Sequence, residues 1–264
     1  MRVKLIIEYN GTGFCGWQRQ ADLISVQETL ERSISLVLGK KEVIGLFGAG
    51  RTDAGVHALG QVAHFDILSD DLVSRWEHDI DNIPKAINSY LVDQDVVVLH
   101  AEIVPSDFHA RFSAKMRYYE YLIYNRRERS AFLKDRAWHL PQKIDVKKMI
   151  EASRYFIGHH NLDSFRSSQC NAQNPMRTIS SIDIQRLDKM VKISIASKSF
   201  LHNQVRIMVG TLVRVGENKM QSEDIRTLLM IQDRTRAGPT APPHGLYFKK
   251  VSYDIEEKLA EGSF

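Results

Sequence analysis

Gly48-Ala49-Gly50-Arg51-Thr52-Asp53-Ala54-Gly55-Val56-His57-Ala58-Leu59-Gly60-Gln61-Val62-Ala63-His64-Phe65 changes character partway along. The stretch holds four of the chain's fifteen glycines, which reach backbone angles and close approaches that other residues do not. From Gln61 onward it alternates like a strand, with Val62 and His64 facing one way and Ala63 and Phe65 the other. A tight loop carrying Arg51 and Asp53 therefore feeds a strand, a common way for a fold to present chemistry.

Upstream, Val3, Leu5, Ile7 and Tyr9 alternate as a first strand. Ser25-Val26-Gln27-Glu28 is a capping box, and Val26, Leu30, Ile34 and Val37 then recur at helical spacing as far as Gly39. A short apolar run at 43–47 leads into the glycine-rich stretch. Downstream, 70–76 and 82–91 have a helical pattern, with Pro84 early enough to be tolerated. Residues 95–104 are β-branched and predict a strand.

Pro105-Ser106-Asp107 is a candidate boundary, dividing 1–104 from 105–264. Beyond it, 117–124 predicts a strand with Tyr119, Tyr121 and Ile123 on one face. An amphipathic helix at 145–157 (Val146, Met149, Ile150, Phe156) is closed by Gly158. Two strands, 177–184 and 190–196, flank Arg186-Leu187-Asp188-Lys189 as a hairpin. Helices at 201–215 and 222–231, an irregular loop at 234–243 and a strand at 246–253 complete the chain. Each half runs strand, helix, strand, strand, helix, strand, the split βαβ order of ferredoxin-like (RRM-like) folds. The expected class is α+β: two tandem half-domains with a largely antiparallel mixed sheet.

The 264 residues are 43% apolar and 26% charged, as in ordinary globular proteins, and suffice for one large domain or two smaller ones. The net charge of +4 is unevenly spread. Residues 66–95 hold eight acids and two bases, residues 105–136 eight bases and four acids, and residues 198–219 four bases and one acid. Such basic segments form either solvated faces or a positive surface for a nucleic acid. Cys15 and Cys170 are too few for a disulfide framework or a Cys-rich metal site. The N-terminus is a charged strand pattern rather than a signal peptide, and no apolar run reaches spanning length. A cytoplasmic protein with no membrane association is expected.

Asp53 is the leading chemical candidate, since a carboxylate can act as nucleophile or base. Arg51, two residues away, is its candidate electrostatic partner; the plainer reading is a pair that only braces the loop. Other chemistries lack partners in sequence. No second acid stands near for a glycosidase pair, and no Gly-x-Ser-x-Gly elbow accompanies His57. His159-His160 are adjacent and diverge in a regular element, no His-Glu-x-x-His occurs, and Gly48-Ala49-Gly50 lacks the Lys-Ser/Thr of a phosphate loop. The histidines are expected to be structural or surface groups, and no metal is assigned. Tyr119 and Tyr121, with Arg117 and Arg111, combine flat rings with positive charge, which suits either stacking on bases or a core with its hydroxyls at the rim. For Tyr121 the core role is preferred, as it is for Phe14 and Trp17. Arg206 lies in the apolar run Val205-Arg206-Ile207-Met208-Val209 and must have a partner, either a structural one or an anionic ligand.

Taken together, these segments resemble the TruA family of tRNA pseudouridine synthases. The resemblance runs through Glu8-Tyr9-Asn10-Gly11-Thr12 with Gly16-Trp17-Gln18, the glycine-rich stretch, Phe108-His109-Ala110-Arg111-Phe112-Ser113-Ala114, Arg117 to Tyr121, Phe200 to Leu212, and Gly238-Pro239-Thr240-Ala241-Pro242 with Gly245-Leu246. His202-Asn203-Gln204-Val205-Arg206-Ile207-Met208 departs from the family's commoner Tyr-His-Met-Val-Arg-Asn-Met, and Leu162 stands where an aromatic is usual. The resemblance implies two ferredoxin-like half-domains about a central basic cleft, and a homodimer acting on tRNA. It implies isomerisation of uridine to pseudouridine at positions 38, 39 and 40 of the anticodon arm, without a cofactor. It places the catalytic aspartate on Asp53, its neighbouring arginine on Arg51, the base-stacking tyrosine on Tyr119 and a late-helix active-site arginine on Arg206. A catalytically silent RNA-binding module and a carboxylate-dependent nucleoside hydrolase are the competing classes.

Overall fold

The structure is a computed structural model that describes residues 1–254. Two compact units emerge, one formed by Met1–Lys115 with residues 248–254 of the described chain, the other by Met116–Tyr247. None of the described helices is long and apolar enough to cross a membrane.

In the first unit the elements are β1 (Arg2–Tyr9), α1 (Val26–Val37), β2 (Phe47–Gly48), β3 (His57–Asp66), α2 (Asp70–Glu77), α3 (Ile83–Asn88) and β4 (Val96–Val104). Strands β4, β1, β3 and β2 lie side by side in that order, and each neighbouring pair is antiparallel. That is the split βαβ order. α1 begins at Ser25, whose hydroxyl accepts the Glu28 N–H at 3.2 Å, and it buries Val26, Leu30 and Ile34. Residues 43–46 form no strand, because α1 holds their backbone through side chains. Ser35 Oγ accepts the Ile44 N–H, Glu31 Oε1 accepts the Leu46 N–H, and Gln27 Nε2 donates to the Leu46 carbonyl. Only Phe47 and Gly48 remain to pair with β3.

The alternation in β3 marks its two faces, yet both are buried. Ala63 and Phe65 lie on one, while Val62 on the other packs with Ala49, Ala110, Phe108, Val251 and Tyr253. Segment 105–115 supplies part of that cover and belongs to this unit. The Arg2 guanidinium donates to the Ser106 and Phe108 carbonyls, and Lys115 N–H donates to the Ser252 carbonyl at 2.9 Å. The acidic stretch before β4 folds as α2 and α3, burying Trp76, Ile83 and Ile87. The Asn88 side-chain amide bonds both the N–H and the carbonyl of Val98 at 2.8 Å, fastening α3 to β4.

In the second unit the elements are β5 (Met116–Asn125), β6 (Trp138–Leu140), α4 (Val146–Ser153), β7 (Gly158–Asn161), β8 (Met176–Leu187), β9 (Met190–Ser197), α5 (Gln204–Gly216) and α6 (Asp224–Ile231). The last strand, β10 (Leu246–Ser252), carries the chain on into residues counted with the first unit. The order β5-β9-β8-β7 is antiparallel throughout, and β6 joins β5 in parallel. With six α-helices among the described residues and a largely antiparallel mixed sheet, the class is α+β.

Two element ends differ from the periodicity. The helical pattern at 145–157 is α-helix only to Ser153, and continues as a tighter 3-10 turn at Arg154–Phe156. The helix expected from residue 201 starts at Gln204, because Asn203 takes a left-handed conformation at φ 60° and no α-helix propagates through it. Leu162 is fully buried.

Candidate active site

Asp53 sits on a braced turn. Its carbonyl accepts the Val56 N–H at 3.1 Å, and Gly55 stands at φ 76°, the positive angle that a type II turn requires at its third position. On the other side the backbone pairs with the segment after β1. Trp17 N–H donates to the Thr52 carbonyl at 3.0 Å, and Gly16 forms a bridge with Asp53. Glycine is required at that contact. Gly16 has φ 110°, and a Cβ there would lie 2.5 Å from the Thr52 carbonyl oxygen. A Cβ on Gly11 would meet the Val56 carbonyl oxygen at 2.0 Å.

The floor of the turn is polar, buried and paired, as buried polar groups must be. The Tyr9 and Thr52 hydroxyls are 2.7 Å apart. Gln61 Nε2 donates to the Gly50 carbonyl at 2.9 Å, and His57 Nδ1 accepts the Gly11 N–H at 3.0 Å. Burial pushes the Tyr9 phenol well above its ordinary pKa, so it stays protonated. Above this floor Asp53 is half-exposed and Arg51 is exposed. Arg51 and Asp53 thus share one loop with open access.

Tyr119, Tyr121 and Ile123 share the buried face of β5. Tyr121 is a core residue, and its hydroxyl donates to the Pro242 carbonyl at 2.8 Å. Burial raises its pKa well above the usual value, opposed by the Arg206 charge. Tyr119 retains 8% exposure and meets Phe200 edge-on at 5.1 Å. The nearby Arg117 donates to the Lys198 carbonyl. Arg206, on the first turns of α5, donates from Nε to the Ala241 carbonyl and from Nη1 to Asn203 Oδ1, each at 2.7 Å. The loop around Ala241 is in turn pressed onto α5, since a Cβ on Gly210 would sit 1.8 Å from the Pro239 carbonyl oxygen. Arg206 and Tyr121 therefore grip successive carbonyls of one loop. Phe14 and Trp17 are buried, as expected.

Asp53 and Arg51 belong to the first unit, Tyr119 and Arg206 to the second. The sequence reading missed the supports of these residues: Tyr9, Thr52, His57 and Gln61 under the Asp53 turn, and Asn203 and the Ala241 carbonyl around Arg206. Gly11 and Gly16, spaced among aromatics after β1, were the available signal for the first set. A carbonyl partner leaves no signal in sequence.

A braced glycine turn presenting an aspartate, in an α+β fold of antiparallel strands, belongs to an RNA-modifying isomerase, as its relatives show. The family model for tRNA pseudouridine synthase matches residues 5–113 and 152–254. The chain belongs to this family, whose members convert uridine to pseudouridine in tRNA. It is 47% identical over 254 residues to a tRNA pseudouridine synthase A of Wolbachia pipientis wMel, covering 96% of this chain and 100% of that one. Proteins of the same description from Xanthobacter autotrophicus and Neorickettsia sennetsu are 45% and 46% identical, over 96% of this chain and 99% and 100% of theirs.

Proposed function

We propose that the chain isomerises uridines at positions 38, 39 and 40 of the tRNA anticodon stem-loop, with Asp53 as the nucleophile. The presentation of Asp53 on a rigid, glycine-cleared turn carries this reading. The reaction breaks the bond from C1′ to N1, turns the uracil and rejoins it through C5; the N1 position gains a proton and C5 loses one. Nothing is oxidised or hydrolysed overall, so one carboxylate with well-placed cations is sufficient and no cofactor enters. The target uridine leaves its stack to reach the carboxylate. Arg51 is the electrostatic partner of Asp53, Tyr119 stacks on the base, and Arg206 binds the substrate. The same reading makes the chain a cytoplasmic homodimer, as the resemblance to the TruA family implies.

Purified protein is incubated with an unmodified tRNA transcript, which is then digested to nucleosides. Wild type yields pseudouridine, and Asp53→Asn yields none while still binding tRNA. Substantial pseudouridine from Asp53→Asn refutes the role of Asp53, and free uracil as product points to a hydrolase. Transcripts with cytidine at 38, 39 or 40 test the positions one at a time.

A further inference from the structure

A ring cluster in the first unit takes no part in the chemistry just described. Phe47 of β2 stacks on His64, its cross-strand partner in β3, with centroids 5.2 Å apart and planes 24° from parallel. His109 meets His64 edge-on at 4.7 Å and packs on Phe112 at 4.4 Å. The series begins in the core and ends in solvent: His64 is 2% exposed, Phe47 53% and Phe112 75%.

The exposed end is rigidly built. His109 N–H donates to Ser113 Oγ, and Ser113 N–H donates to the His109 carbonyl, both at 2.9 Å. His109 Nδ1 accepts the N–H groups of Arg111 and Phe112 at 3.1 and 3.4 Å. An acceptor nitrogen must be unprotonated, and burial together with the Arg2 and Arg111 charges lowers the His109 pKa. The turn therefore fixes the backbone from which Phe112 projects. The Arg111 guanidinium lies over the Phe112 ring, 5.7 Å from its centre.

Exposed flat rings held in place beside a guanidinium match one ligand chemistry, an unpaired nucleobase with its phosphate. Phe47 stands six residues before Asp53, at the entry to the catalytic turn. We propose that Phe47, His109 and Phe112, with Arg111, form a stacking platform for an unpaired base of the tRNA other than the uridine being isomerised. The inference rests on tRNA being the substrate.

The test compares wild type with Phe47→Ala/Phe112→Ala, Phe112→Trp and Arg111→Gln, by tRNA binding across a salt series. The double alanine variant is expected to lose about tenfold or more in affinity with its salt dependence unchanged. Phe112→Trp keeps wild-type affinity, and Arg111→Gln lowers the salt slope by about one. In an abasic scan of the anticodon loop, one position outside the target weakens wild type but not the double variant. Unchanged affinity in the double variant overturns the platform, as does a loss accompanied by altered oligomeric state. A wild-type protein that binds no tRNA refutes the functional reading instead.

Discussion

The hydroxyls of Tyr9 and Thr52 lie 2.7 Å apart in the buried floor of the turn that carries Asp53. One comes from the end of β1, the other from the residue before the carboxylate. This bond ties the Asp53 turn to β1, and the geometry of Asp53 depends on it.

Tyr9→Phe removes one partner and leaves the Thr52 hydroxyl buried without it. The expected cost is about 1–3 kcal/mol in urea denaturation. Turnover falls while tRNA affinity stays near wild type. Equal stability of the variant would show that the floor relaxes freely.

Gly16→Ala places a Cβ where the Thr52 carbonyl stands, at a φ of 110° that alanine rarely adopts. The turn must shift, so single-turnover rates are expected to fall by about tenfold or more, with tRNA binding retained. Gly13→Ala is the control, since a Cβ there meets nothing within 4 Å. Similar rates for both variants would contradict the brace.

Arg206→Lys keeps the charge but loses the planar fork that reaches the Ala241 carbonyl and Asn203 Oδ1 together. A drop of about tenfold or more in kcat/KM is expected. Asn203→Gly tolerates the left-handed backbone while deleting the acceptor, and is expected to show a smaller loss in the same direction. Wild-type kinetics for Arg206→Lys would mean that charge alone is sufficient.

His64 gives a pH signature. Its Nδ1 accepts the Ala110 N–H, and burial, aided by His109 and Arg2, lowers its pKa from 6.5 to about 4. The unfolded chain therefore binds a proton between those values that the folded chain does not. Stability is expected to decline as pH falls from about 6.5 towards 4, and to be independent of this group above that window. Denaturation midpoints for wild type and His64→Gln across that range check it: the variant shows the shallower acid slope.

Much of the fold was legible locally. The β1 alternation, the Ser25 cap and the helical spacing of Val26, Leu30 and Ile34 each express a rule acting within a few residues. Where the pattern misled, distant groups intervened. Residues 43–46 have strand composition, but Gln27, Glu31 and Ser35 of α1 bind their backbone first. The helix expected from residue 201 waits for Gln204 because Asn203 is left-handed, with Arg206 donating to its side chain.

The sequence by itself determined the order of the longer strands and helices, though not the short β6 and β7, the presence of Asp53 and Arg51 on a glycine-rich turn, and the uneven spread of basic charge. These follow from backbone angles and side-chain periodicity, which are properties of neighbours along the chain. Only the tertiary structure decided what holds the turn and the arginine: the Tyr9–Thr52 pair, the Gly16 contact and the Ala241 carbonyl. Those partners lie tens of residues away. A buried hydrogen bond depends on which groups the fold excludes from water together, and no local pattern encodes that.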